Sequence, residues 1–360
     1  MSQYISRYST QKKKNNPFIK FFRRLIIVLV ILLLGAGYFM YTVIYQPNVW
    51  TPEGKPMGIN VPTGSGFIQL KSILYSKGLI IHRKNFEWWA EQKKLATLVK
   101  PGHYVINDKM NNKQLVDMFR SGRQSPVNVT FNNVRDISQL AGIVGKQIEP
   151  DSVSLINLLT DSAYIASLGF NKYTIPSMFI PNTYQFFWTI KPKAFVERMH
   201  QEYEKFWNKQ RREQADTLGL TPEKVSILAS IIDKETNKVD EMPVIASVYL
   251  NRLDKGWRLQ ADPTVVFALQ DFSIRRVLNE QKRVKSPYNT YRHRGLPPGP
   301  ICIPSIAAIE AVLQPAKTHY LYFCAKDDFS GYHVFANTNR QQQINAEKYQ
   351  EALDKLKIFK

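Results

Sequence analysis

Hydrophobic and polar positions divide this chain into stretches of different period. Residues 25–45 (LIIVLVILLLGAGYFMYTVIY) carry no charge, and a run of 21 such residues is long enough to cross a bilayer as a helix. Residues 46–66 are rich in proline and glycine with little periodicity, which predicts a tether. Beyond it, short apolar runs at 78–82 (GLIIH) and 102–106 (GHYVI) alternate with helix-like runs at 85–98 and 112–120, the pattern of a small α+β module. Residues 127–131 (VNVTF) read as a strand and 137–148 as a helix. From about residue 192 the pattern is mainly helical, beginning with one long polar and aromatic helix over 193–218. Thr221 as N-cap and Pro222 at the first helical position open the next helix. A further helix, capped by Asp240 or Met242, runs through 244–253 to a left-handed stop at Gly256, and Asp262-Pro263 begins another.

Within residues 227–236 (ILASIIDKET) a single carboxylate interrupts an apolar stripe. At about 100° per residue, Leu228, Ile231 and Ile232 share a helical face with Glu235, whereas Asp233 and Lys234 point elsewhere. Apolar surroundings disfavour the charged carboxylate, so such a glutamic acid stays protonated near neutral pH and can donate a proton. The same position also suits a core carboxylate neutralised by a cation, and Arg252 on the following helix is the obvious partner. The helical stripe leaves both readings open.

Charge and composition narrow the setting. The formal net charge is +20. Arg7, Lys12, Lys13, Lys14, Lys20, Arg23 and Arg24 precede the apolar run without one acid, so the positive-inside rule puts the N-terminus in the cytoplasm and everything after Tyr45 outside it. Bulky residues continue past Gly37 with no small-x-small cleavage site, which favours an uncleaved signal anchor over a cleaved signal peptide. In that compartment nucleic acid is not expected and anionic phospholipid or wall polymer is a plausible client of the basic balance, although a solvated surface with no particular partner is its commonest explanation. The two cysteines, Cys302 and Cys324, define no disulfide framework.

Most chemistries lack local support. The six histidines include no H-x-H or H-E-x-x-H pair and the cysteines form no C-x-x-C, so no metal site is expected. No G-x-S-x-G elbow, P-loop or dinucleotide fingerprint occurs, and no cofactor is expected. Carboxylate chemistry remains. Residues 286–301 (SPYNTYRHRGLPPGPI) set Tyr288, Asn289, Thr290 and Tyr291 in a backbone fixed by prolines and glycines. Sugar sites use that mixture, because rings stack on aromatics while hydroxyl and acetamido groups need directed polar partners. A loop that only covers the core would look the same.

Taken in order, SIIDKET, ASVYLNRLDKGWRLQADPTV and SPYNTYRHRGLPPGPI, with PNTYQF upstream at 181–186, resemble the MltG-type (YceG-like) endolytic murein transglycosylases. The resemblance implies an α+β fold: an N-terminal transmembrane helix, a small LysM-like α+β module, then a mainly helical YceG-like catalytic domain with mixed α/β elements. The expected division is a cytoplasmic basic tail at 1–24, a transmembrane signal anchor at 25–45, a linker at 46–66, the LysM-like module at 67–125 and the catalytic domain at 126–358. The second acid of the family's E-K-E-T motif, its catalytic glutamate, falls on Glu235, and the first on Asp233. Asn251, Arg252, Gln260, Asp262, Tyr288, Asn289 and Tyr291 match the remaining motif positions and would line or brace a glycan cleft. The chain departs from the family at Asn132-Asn133-Val134, where P-E-G is usual, at Asn182, and at Gln341-Gln342 in place of an acid–histidine pair.

The resemblance implies a single-pass protein of the plasma (inner) membrane that cleaves the β-1,4 bond between N-acetylmuramic acid and N-acetylglucosamine in nascent strands. It leaves 1,6-anhydromuramic ends and works beside the peptidoglycan synthases (penicillin-binding proteins). Two rivals stand against it. A lysozyme-like hydrolase would pair Glu235 with Asp233, Glu241 or Asp262 and leave reducing ends. A wall-binding scaffold would bind glycan without cleaving it.

Overall fold

The computed structural model describes residues 17–355, so Arg7, Lys12, Lys13 and Lys14 of the basic tail and residues 356–358 of the expected catalytic domain lie outside the described residues. The chain divides into two compact units, one ending at Ser125 and the other beginning at Pro126.

The first unit opens with helix α1 (Pro17–Tyr45), which is long and apolar enough to cross a membrane and buries only Val43 and Ile44. The segment 46–66, expected as a tether, is instead part of this unit. Pro47 bridges to Asn111 and Val49 to Ile80, and strand β1 (Met57–Val61) follows. After α2 (Phe67–Ser76) and α3 (Arg83–Gln92), strand β2 (Gly102–Ile106) pairs antiparallel with β1, in register from Met57 with Ile106 to Val61 with Gly102. The buried alternates Ile59 and Val61 drive this pairing, because every second residue of β1 faces the core formed with Leu70, Leu74, Phe86, Tyr104 and Phe119. The run 78–82 contributes only the bridge at Ile80, and the helix expected over 85–98 ends at Gln92, shortly before the left-handed Lys94 (φ 53°). Helix α4 (Asn112–Ser121) closes the unit; the Asn111 side chain accepts from Gln114 N at 2.9 Å and Gln114 Oε1 accepts from Asn111 N at 3.0 Å, a reciprocal cap.

The second unit starts with β3 (Val127–Phe131), which pairs antiparallel with β4 (Asn182–Phe186) across α5 (Ile137–Gly145), α6 (Ser152–Thr160) and α7 (Ser162–Ser167). The single helix expected over 193–218 is two helices, α8 (Pro192–Phe206) and α9 (Lys209–Thr217). Trp207 leaves the helical region (φ −81°, ψ 58°) and is buried, and the Asn208 side chain then accepts from Arg211 N to start α9 afresh.

Helix α10 (Pro222–Glu235) is the core element, buried without interruption from Val225 to Ile232, including Ser226 and Ser230. Those hydroxyls return to the helix's own carbonyls, Ser226 Oγ to Pro222 O at 3.1 Å and Ser230 Oγ to Ile227 O at 2.7 Å, so their burial leaves neither oxygen unpaired. Helix α11 (Met242–Asp254), preceded by Glu241 at the cap position rather than Asp240, packs on α10. Its end is a paired Schellman turn, with Gly256 N (φ 62°) bound to Leu253 O and Trp257 N to Arg252 O. Helix α12 (Asp262–Leu269) leads into the proline-rich loop, α13 (Ile306–Leu313) packs against both α10 and α11, and the hairpin β5 (Tyr322–Ala325) and β6 (His333–Ala336) precedes α14 (Asn339–Lys355). Helices and antiparallel strand pairs are thus combined in both units.

Candidate functional site

Glu235, the last residue of α10, stands in the wall of a pocket of about 790 Å³. Asp262 and Pro263 from the start of α12, Asn133 and Arg135 after β3, residues 274–277 and His333 of β6 complete much of the lining. The helix stripe carries Glu235 to this position, and the helix ends there because Thr236 is extended (φ −143°, ψ 146°).

The carboxyl is held by a phenol. Tyr249 Oη on α11 donates to Glu235 Oε1 at 2.6 Å, which leaves Oε2 as the oxygen able to carry a proton. Burial pushes Glu235 up from its ordinary value of 4.5 to about 7; the Tyr249 bond pulls it down, the Asp262 carboxylate raises it and the Arg252 charge lowers it. Tyr249 is itself raised by burial and by the adjacent Glu235, so it remains a neutral donor. The arrangement leaves a substantial share of the carboxyl protonated near neutral pH, beside an open space.

Arg252 is not its ion-pair partner. Its guanidinium donates Nε to Leu321 O at 2.6 Å and Nη1 to Leu259 O, and lies over the Tyr322 ring, so it ties the end of α11 to the chain on either side. This removes the main support for reading Glu235 as a neutralised core charge.

The other residues singled out from the motifs fall into two sets. Asp262 shares the pocket and accepts from Tyr291 Oη at 2.5 Å, a bond that, after burial, raises the Tyr291 phenol. Asp233 faces away and accepts from Ser305 Oγ, the hydroxyl that caps α13. Asn251 donates Nδ2 to Thr318 O and Tyr320 O, both at 3.0 Å, and borders a different groove of about 930 Å³ formed with Leu218, Leu250 and Pro297. Gln260 is exposed, with φ 53° and its amide bonded to Thr290 O at 3.2 Å.

Asn289 differs most from the expectation of a sugar contact. It is fully buried, donates Nδ2 to Lys282 O at 2.9 Å and Val284 O at 2.8 Å, and accepts from Tyr291 N at 3.0 Å, so its hydrogen-bonding capacity is already used in shaping the loop. Tyr288 packs its ring 4.7 Å from that of Phe267 and 6.5 Å from that of Tyr173. An amide suits glycan and loop backbone alike, and here the backbone has claimed that of Asn289.

Two features escaped sequence reasoning. Tyr249 sits one turn before Arg252 on α11, but nothing in its local pattern says which residue of α10 it meets. His333 and Glu241 form a pair, Nδ1 to Oε2 at 2.7 Å, that brings the hairpin to the head of α11 and is legible only once β5 and β6 are paired. Among the described residues, no group of three or more His, Cys, Asp or Glu side chains could hold a metal ion. Both cysteines are free thiols, and burial pushes Cys302 up to about 12.

The model of the YceG-like family matches residues 59–348. The endolytic murein transglycosylase of Bacillus subtilis (strain 168) is 29% identical over 340 residues, covering 88% of this chain and 91% of that protein. The protein of the same name from Streptococcus pneumoniae serotype 2 (strain D39) is 26% identical over 354 residues, and the match spans 88% of this chain and 63% of the pneumococcal one. A solved structure of a YceG-like protein from Listeria monocytogenes, 26% identical, superposes with a TM-score of 0.54 over 81% of this chain and 99% of that one.

Proposed function

The chain belongs to the YceG-like family, and from that premise we propose that it is a lytic murein transglycosylase with Glu235 as its general acid. The observation that carries this reading is the carboxyl of Glu235, held near a pKa of about 7 by burial, oriented by Tyr249 and open to a pocket. Protonated Glu235 gives its proton to the glycosidic oxygen between N-acetylmuramic acid and N-acetylglucosamine while an oxocarbenium-like centre develops. The muramic 6-hydroxyl then attacks the anomeric carbon, gives up its proton to a base of the pocket and closes a 1,6-anhydro ring. Because this nucleophile belongs to the same sugar, the second step is intramolecular and needs no activated water.

Asp262 and Tyr291 form the neighbouring polar wall in this reading, and Asn133, Arg135, Lys234, Arg275 and Arg276 give the pocket a polar and basic border suited to an anionic, peptide-bearing glycan. Asn251, Arg252, Tyr288 and Asn289 act at one remove, by fixing the segments that carry the pocket. The LysM-like reading of residues 67–125 draws support from the two antiparallel strands enclosing two helices, with β1 added at its front. Helix α1 supports a single-pass anchor, and the basic residues before residue 25 support a cytoplasmic N-terminus with the chain after Tyr45 on the other side, beside the peptidoglycan synthases.

Mass analysis of the ends made from purified glycan strands tests the proposal. Anhydromuramic ends are expected. Reducing ends would instead favour the hydrolase reading with Asp262 as partner, and no new ends would favour a scaffold.

A further inference from the structure

His333 shares the pocket with Glu235, and the environment of its ring is built in detail. Nδ1 lies 2.7 Å from Glu241 Oε2, and the backbone N of His333 donates to Glu241 Oε1 at 2.6 Å, so both carboxylate oxygens are aimed at this one residue. Thr236, the residue after Glu235, adds its hydroxyl to Glu241 Oε2 at 3.2 Å. The pair is largely out of solvent, with side-chain exposures of 14% for His333 and 5% for Glu241. An ionised carboxylate only accepts, so Nδ1 carries its hydrogen toward Glu241 and the neutral ring keeps its lone pair on Nε2. No hydrogen bond from the protein engages Nε2 among the described residues, and the ring borders the pocket. The imidazole stands edge-on to Phe323 at 5.2 Å, and Phe323 stands edge-on to Tyr249 at 5.8 Å, the phenol that holds Glu235. Phe323 thus touches both the His333 ring and the phenol that holds Glu235.

A base whose far nitrogen is fixed by a buried carboxylate is the arrangement by which proteins orient a proton acceptor. We propose that His333 is the second proton-handling group of this site, oriented by Glu241 and taking the proton of the muramic 6-hydroxyl during ring closure. This rests on the reading of Glu235 as the acid that opens the glycosidic bond. The bond from the anomeric carbon to the leaving oxygen breaks as Glu235 protonates that oxygen. The 6-oxygen forms its bond to the anomeric carbon as its hydrogen passes to Nε2, and the imidazolium is stabilised by Glu241. Exchange with solvent returns one proton to Glu235 and removes one from His333, so no other reactant is consumed.

The test uses the full chain with its N-terminal helix, in detergent, on purified uncross-linked glycan strands, and compares His333→Asn with His333→Gln. The asparagine amide can reproduce the Nδ1 donation to Glu241 but places nothing at Nε2; the glutamine amide reaches the Nε2 position and gives up the Glu241 bond. Neither amide is a base, so both variants should lose the activity, while asparagine should preserve the melting temperature better. In His333→Asn, kcat for anhydro ends should fall roughly 10²- to 10⁴-fold with KM little changed, and the residual products should shift toward reducing ends as water competes with an unassisted 6-hydroxyl. The proposal is overturned if either variant forms anhydro ends at the wild-type rate, or if His333→Asn, the more stable of the two, is also markedly the more active. Failure of the wild-type chain to make any ends would strike at the Glu235 reading itself, and it is seen before either variant is compared.

Discussion

Tyr249 Oη lies 2.6 Å from Glu235 Oε1 and donates to it, so the largely buried acid of α10 is oriented by a neutral group on α11 rather than by a cation. The difference matters chemically. An arginine in that place would hold the carboxyl ionised, whereas a phenol fixes its direction and still allows burial to push it to about 7.

The pH dependence follows from those opposing influences. With Glu235 as the proposed general acid, glycan cleavage needs its protonated form, so the rate should fall as pH rises through about 7. Tyr249→Phe removes the bond that favours the ionised form and should move this falling limb to higher pH. Asp262→Asn removes a charge that raises Glu235 and should move it lower. Profiles of kcat/KM against pH for the three proteins decide this, and shifts in the same direction for both variants would contradict it.

Glu235→Gln should separate stability from activity. The folded-state value of about 7 exceeds the ordinary 4.5, so the folded protein binds the extra proton between these values. The stabilisation from that proton is full below about pH 4.5 and lost as pH rises through 7. Above that, the carboxylate costs the wild type on the order of 3 kcal/mol that an amide does not. Denaturant unfolding at pH 5 and pH 8 should thus show the glutamine variant gaining relative stability with pH, while cleavage falls roughly 10²- to 10⁴-fold. A variant that melts lower at pH 8 and cleaves normally would restore the ion-pair reading.

Asn289→Ala should destabilise the protein even though it lies in a loop. It strands the carbonyls of Lys282 and Val284 and the amide of Tyr291, a loss of about 1–3 kcal/mol for each group left buried and unpaired. Calorimetry measures the effect, and an unchanged melting temperature would show that the loop carries none of it.

Gly299 has no room for a methyl group, since a Cβ there would stand 2.1 Å from Tyr173 O and 3.0 Å from Tyr288 Oη. Gly299→Ala must displace backbone as well as side chain, with a cost of about 1–3 kcal/mol or more. The expected outcome is a lower melting temperature together with weaker cleavage, because the proline-rich loop moves relative to Asp262 when Tyr288 and Tyr291 shift.

For the anchor, protease added to spheroplasts should digest the chain beyond Tyr45 and spare the tail before residue 25. Protection of the second unit, or a mature protein beginning near residue 37, would exclude a signal anchor with the N-terminus inside.

Legibility in the sequence depended on how local each cause was. The strand at Val127–Phe131, the capped start of α10 at Thr221 and the placement of Glu235 on the same stripe as Ile231 and Ile232 all follow from period and capping within one turn or two. β1 was hidden because its five residues lie between Pro56 and Pro62, too short a span for its alternation to stand out from the surrounding glycines and prolines. The break at Trp207 was hidden because the polar and aromatic pattern runs on across it, and burial of the indole is a tertiary effect. For Asn251 and Asn289 the residue type was informative and the partner was not: an amide that could meet an acetamido group satisfies a main-chain carbonyl equally well.

The junction between α1 and the first unit has a mechanical consequence. Val43 O accepts from the buried Asn112 Nδ2 at 2.7 Å, Ile44 belongs to the same apolar cluster as Leu70 and Phe119, and Pro47 bridges to Asn111. The helix therefore enters the module as a welded shaft and not as a leash. With α1 in a bilayer, the module has no slack to pay out: tilt or rotation of the shaft turns the module with it, and its reach is confined to what lies within its own thickness of the membrane surface.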